Sequence, residues 1–270
     1  MAANGPRIHP SAIVDRAAEL SLDVVVEPYA VIEGPVRLGP GCVVRARAHL
    51  IGDIVASAGN DFGIGCVVGE RAQHLQYRDA PGRIDIGAGN TFREYVTIHR
   101  GTPGAAGTRI GSRNFLMCNT HVAHDCTVGD GCVFANGAVI GGHAVIQDGV
   151  FLSGNTGVHQ NCQVGRLAIV SATSSATKDI PPFAILEGRN TLIGVNVVGL
   201  KRADMSSAQI DAVRRAYRVL LTSGLLLSAA VARLGRELGH VDAVAELLKF
   251  IHTSKRGICL TRARRRRGTD

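Results

Sequence analysis

The chain has 270 residues, 46% hydrophobic but only 4% aromatic, with 33 glycines and no tryptophan. That is ample for a buried core, yet no uninterrupted apolar run reaches the roughly 18–20 residues of a membrane-spanning helix. The net charge of +8 is unevenly placed, since Arg262, Arg264, Arg265, Arg266 and Arg267 face a single nearby acid, Asp270. A block of like charge reads as a solvated tail, here residues 261–270. The rest of the chain is mildly basic and shows no basic–aromatic interleaving, so an acidic protein partner is expected rather than nucleic acid. The N-terminus has no charged segment leading into an apolar stretch. The expectation is a cytoplasmic protein without stable membrane insertion.

From Ile8 onward, nearly every sixth residue is apolar, with misses at His74 and Gly104. The series runs Ile8, Val14, Leu20, Val26, Ile32, Leu38, Val44 and Leu50, and continues to Val170 and Ala176. Of these 29 positions, 24 are Val, Ile, Leu or Phe, far beyond what the composition gives by chance. Glycine often follows the apolar residue, and the fifth position is mostly small. This hexapeptide repeat predicts a parallel β-helix, each unit giving one short strand and one turn. Three units make a triangular coil of about 18 residues. A doubly wound sheet is excluded, because no helical segments alternate with the strands.

Two stretches break the pattern, at 72–85 and 102–109, and both read as protruding loops. Long loops on a rigid scaffold tend to carry function. The ladder fades near Asp179, and the predicted β-helix domain occupies 1–203. After Met205 the apolar period becomes 3.6, with Ile210, Val213, Tyr217, Leu220 and Leu221 on one stripe and Ser206 or Ser207 as N-cap. Two more short helices follow, near 228–238 and 241–252, so a small helical domain is expected over 204–260. Cys42, Cys66, Cys126, Cys132 and Cys162 all fall in the small fifth slot and read as compact core residues.

The coil period places distant residues together. With both loops removed, the unit at Ile98 stacks on Val122, then Ile140, then Val158. His99 then lies near His124, Gly142 beneath His124, and His143 beneath Asp125. His159 lies beneath Gly141, and His121 stands at the preceding corner. Such a gathering of histidines on one face reads as a functional site. The adjacency of His124 and Asp125 is ambiguous by itself, because neighbouring strand residues point to opposite faces unless a turn intervenes. There is no Gly-x-Ser-x-Gly and no cysteine in an electropositive setting. A base without a protein nucleophile suggests direct attack by a substrate hydroxyl or amine.

The segments Ile98–Thr102, Leu116–Gly129, Val158–Gln160, Asp179–Pro182 and Gly194–Arg202 resemble the UDP-N-acetylglucosamine O-acyltransferase family, and the resemblance extends from Ile8 to about Gly257. It implies a left-handed coil, homotrimers with clefts between prisms, and no cofactor or metal. It also implies acyl transfer from acyl carrier protein to the 3-position of a UDP-sugar, beginning lipid A synthesis. Carried over, His124 is the general base, Asp125 its polarising partner, and the Gly142 amide the oxyanion donor. Gln73, His74, Gln76, His99, His121, His143, His159 and Gln160 would line the substrate cleft. Asn196 and Arg202 would meet the nucleotide, and Ala172 would limit the acyl chain. Four positions depart from the family pattern: a carboxylate and a lysine are replaced by His74 and Gln76, a glutamate by Val198 and an arginine by Ala203. A 3-amino acceptor therefore stays open. Two readings from other classes are a zinc site of the carbonic-anhydrase type, built from His99, His121, His124 and His143, and a non-catalytic scaffold.

Overall fold

The computed structural model describes residues 5–75 and 82–261. Gln76 and nearly all of the arginine-rich tail lie outside the described residues. Three parallel sheets form the walls of a prism, with eleven, nine and eight strands among the described residues. The first wall begins at Arg7–Ile8, the second at Ile13–Val14 and the third at Glu19–Leu20. Each strand pairs with the one a full coil later: Ile8 with Val26, Val14 with Ile32, Leu20 with Leu38. The predicted stacking of Ile98 on Val122, Ile140 and Val158 is the observed register.

From Val26 on, the described apolar sixth residues point inward and are buried, Phe62, Phe92, Phe134, Ile98 and Ile140 completely, whereas Ile8 in the first coil is exposed. Each contributes roughly 1.5–3 kcal/mol by leaving water. Phe62 and Phe92 stack at 5.3 Å between centroids. The five fifth-slot cysteines are buried free thiols. Burial pushes Cys66, Cys126 and Cys132 up to about 12, consistent with packing rather than reactivity.

Both loops leave the prism at one corner, between the second and third walls. One separates strands Val67–Glu70 and Ile84–Ile86, the other strands Thr97–His99 and Thr108–Ile110. The stack tolerates them because pairing resumes in register, Val68 on Ile98 and Ile98 on Val122.

The coil ends differently from the sequence expectation. Strand Leu192–Val195 turns back antiparallel to Ala184–Leu186, and a short helix α1 (Val197–Arg202) follows where the repeat alone suggests only coil. Helices α2 (Ser207–Thr222), α3 (Leu227–Leu238) and α4 (Asp242–Thr253) match the expected apolar stripes. Ser206 caps α2 reciprocally with Gln209. The helices are fastened to the prism by Tyr217, whose hydroxyl donates to the Pro182 carbonyl at 2.6 Å, and by the Arg166–Glu246 ion pair at 2.8 Å. No helix among the described residues is long and apolar enough to cross a membrane.

Candidate active site

The corner between the second and third walls is made by residues with positive φ. Asp125, His143 and Asn161 occupy it at φ of 60°, 59° and 60°. This left-handed turn answers the ambiguity of the His124–Asp125 adjacency. It breaks the strand alternation and brings the two side chains together, with His124 Nδ1 donating to Asp125 Oδ2 at 2.7 Å. Both side chains are almost completely buried, at 8% and 4% exposure. With its proton on Nδ1, the imidazole keeps the Nε2 lone pair for accepting a proton.

Gly142 lies directly below the ring, as the coil count predicts. A Cβ there would stand 2.7 Å from both Cε1 and Nε2 of His124, so only glycine admits the imidazole. His124 is flanked edge-on by His74 at 5.6 Å and by His143 at 5.1 Å between centroids. His143 is half-exposed, its Nε2 3.7 Å from Asp125 Oδ2. His159 and Gln160 continue the surface one coil further and are exposed, as is Gln73.

The other expected site residues stand in varied surroundings. His99 is buried, and its Nδ1 donates to the Arg71 carbonyl, so it anchors the first loop and does not face open solvent. Burial lowers its pKa, opposed by that carbonyl. His121 packs edge-on against His99 at 5.1 Å, its Nδ1 2.8 Å from Thr97 Oγ1. Burial, reinforced by His99 and His124, pushes His121 down to about 4, which keeps it neutral near pH 7. Asn196 is buried with both ends of its amide in use. Its oxygen caps α1 through the Gly199 amide at 2.8 Å, and its nitrogen donates to the Leu167 carbonyl at 2.8 Å. It shapes the start of α1, and its second N–H and second oxygen lone pair stay uncommitted by these two bonds. Arg202 is exposed on the last turn of the same helix. Ala172 is exposed at the opposite edge of the second wall, three coils from His121–Val122. At strand spacing that is roughly 14 Å along the axis.

The four-histidine zinc arrangement is not formed. Among the described residues the group able to hold a metal is His124, Asp125 and His143, with ligand atoms within 4.8 Å of one another. The Asp125 carboxylate already accepts from His124, from the Thr102 amide at 3.0 Å and from the Thr102 hydroxyl at 2.9 Å. A cation bound through His124 Nδ1 would displace the proton that this nitrogen donates to Asp125. Thr102 and a second threonine, Thr108, are not singled out by the sequence pattern. Their contacts join residues 23 and 17 positions apart through a closed loop, which residue spacing does not reveal.

The coil and its turns define a hexapeptide-repeat transferase fold, and residues 107–142 match the family model of bacterial transferase hexapeptide repeats. Residues 179–259 match the second domain of UDP-N-acetylglucosamine O-acyltransferases. The chain is 41% identical to the acyl-[acyl-carrier-protein]–UDP-N-acetylglucosamine O-acyltransferase of Syntrophobacter fumaroxidans, covering 93% of this chain and 99% of that one. A relative of the same name from Anaeromyxobacter is 42% identical over 93% of this chain and 98% of its own. The UDP-N-acetylglucosamine acyltransferase of Francisella novicida superposes with a TM-score of 0.91 at 29% identity, covering 94% of each chain. That of Bacteroides fragilis gives 0.90 at 33%, covering 93% of this chain and 99% of the other. The chain belongs to the acyl-[acyl-carrier-protein]–UDP-N-acetylglucosamine O-acyltransferase family.

Proposed function

We propose that the protein transfers a 3-hydroxyacyl group from acyl carrier protein to the 3-hydroxyl of UDP-N-acetylglucosamine, the opening step of lipid A synthesis. Family membership supports the substrates. The observation that carries the mechanism is the buried His124–Asp125 pair standing over Gly142. His124 Nε2 takes the proton of the sugar hydroxyl as its oxygen attacks the thioester carbon. The Gly142 amide, which donates to no described group, meets the oxyanion that develops. Collapse expels the carrier thiolate, which recovers the proton from His124, and no covalent enzyme intermediate forms. Base catalysis of this kind contributes roughly 10²–10⁴, and an oxyanion donor about 3–4 kcal/mol.

The functional unit in this reading is a homotrimer, with His74, His143, His159 and Gln160 facing a cleft between copies. Ala172 lines the far end of the acyl groove. The carrier protein docks on α2, where Arg214, Arg215 and Arg218 are exposed. Acidic partners gain mainly in association rate from such a surface.

The test is His124→Ala, assayed by mass spectrometry with a series of acyl carrier protein thioesters and with both 3-hydroxy and 3-amino UDP-sugars. We expect at least a hundredfold loss with unchanged melting temperature. Retention of more than about a tenth of the activity would remove His124 as the base. Faster turnover of the 3-amino sugar would reassign the acceptor and leave the mechanism intact.

A further inference from the structure

The second loop begins and ends on the same residue of the site. At its start, Thr102 donates twice to the Asp125 carboxylate, from its amide to Oδ1 at 3.0 Å and from its hydroxyl to Oδ2 at 2.9 Å. At its end, Thr108 accepts the Asp125 amide at 2.9 Å and donates its own hydroxyl to the His99 carbonyl at 2.7 Å. Thr108 is fully buried. The two ends are drawn together at Gly101 and Gly107. A Cβ on Gly101 would stand 2.6 Å from Gly107 Cα and 2.7 Å from Asp125 Oδ1, so any side chain there would push the loop off the carboxylate. The contacts continue to the first loop, because His99 holds the Arg71 carbonyl and Arg100 donates its amide to the Glu70 carbonyl at 3.1 Å.

A carboxylate has lone pairs to spare, and a buried one rotates unless they are fixed. If Asp125 rotates, the imidazole loses its orientation and the proton its place on Nδ1. We infer that Thr102 and Thr108 are positioning residues for the transfer reaction: they grip Asp125 by its carboxylate and its amide and through it aim His124. The inserted loop is on this view part of the catalytic apparatus even though its tip, residues 103–106, is exposed; the Ala105 amide donates to the Thr102 carbonyl at 3.2 Å. This rests on the assignment of His124 as the base.

The experiment compares Thr102→Val, which deletes the side-chain donor at nearly constant shape, with Thr102→Ser, which keeps it. The expected result for the valine variant is a tenfold or greater fall in kcat with KM for both substrates within twofold. Serine should restore kcat to within threefold of the parent. In an Asp125→Asn background, Thr102→Val should add less than a twofold further loss, because groups that act as one unit are not additive. Thr108→Val should lower kcat in the same way. Thr102 is the more robust arm, being only half-buried at the edge of the loop. If Thr102→Val keeps more than half of kcat, or if its loss is undiminished beside Asp125→Asn, the positioning role is wrong. Should His124→Ala itself stay active, the base assignment has failed instead, and that separates the two ideas.

Discussion

Two corners of the same prism use the same backbone turn for opposite ends. Between the third and first walls, the turn residues are mostly glycine at positive φ: Gly41, Gly59, Gly89, Gly131 and Gly149. Buried asparagines along this corner link one coil to the next. Asn90 donates to Asn60 Oδ1 at 2.8 Å and accepts the Asn114 amide at 2.9 Å, and Asn114 accepts the Cys132 amide at 2.7 Å. Each coil there is tied to the next through these asparagine oxygens, although Asn114 Nδ2 is buried without a partner among the described residues. Between the second and third walls, the ladder is interrupted twice, and the turn is carried by Asp125, His143 and Asn161. The His143 and Asn161 amides still pair with the coil before, at His124 and Gly142, but the carboxylate and amide of Asp125 are held by Thr102 and Thr108 at the ends of the second loop. The repeat thus supplies rigidity where it is unbroken, and chemistry where a loop intrudes.

Glycine substitutions separate the corners most sharply. In Gly142→Ala the new methyl would fall 2.7 Å from the His124 ring. We expect kcat to fall about a hundredfold, the scale of misplacing a base or an oxyanion donor. Gly131 has φ +62°, and a Cβ there would meet nothing within 4 Å, so Gly131→Ala meets only backbone strain. It should cost about 1–2 kcal/mol of stability and leave kcat unchanged, as read by denaturant titration beside steady-state kinetics. A kinetic defect from Gly131→Ala would show that the two corners are coupled.

The Asn ladder offers a smaller effect of the converse kind. Asn90→Ala strands the Asn114 backbone amide, while Asn60 Oδ1 loses one of its two donors and keeps the backbone amide of residue 90 at 3.1 Å. The expected loss is roughly 1–3 kcal/mol, seen as a lower denaturation midpoint, with KM and kcat per folded molecule unaltered.

The smallest effect concerns acid. His121 has a folded pKa of about 4 against an ordinary value of 6.5, because burial disfavours its charged form. The unfolded chain therefore binds the proton first. The stability held by neutral His121 is present above about pH 6.5 and is lost as pH falls toward 4. His99 is shifted in the same direction. Melting temperatures of wild type and His121→Gln, taken at about pH 7 and about pH 5, check this. The variant should lose less on acidification, and equal losses would show that His121 is not the group responsible.

Much of this architecture is legible in the sequence. Interior positions recur every six residues, and both interruptions are whole multiples of six, so coil counting places Gly142 under His124 without a structure. What counting lacks is backbone sign and loop closure. The pairing of His124 with Asp125 depends on a φ of 60° at Asp125, which no spacing rule contains. Asn196 reads as a nucleotide contact, and spacing does not show that its amide also caps α1. His99 reads as a cleft residue and is turned inward to hold the first loop. The grip of Thr102 and Thr108 on Asp125 exists only because the second loop returns to its starting point.

The last coil has a consequence of another kind. A parallel stack is an open-ended polymer template, because each coil presents unpaired edges on which a further coil could grow. Here the growing end is closed on all three walls. Leu192–Val195 runs antiparallel to Ala184–Leu186 on the first, Arg189 bridges to Ser175 on the second, and Ile180 bridges to Val164 on the third. The chain then returns after α4 to lay Ile258 beside Asp179 and Leu260 beside Thr191. The C-terminal region therefore covers the edges on which a further coil would add.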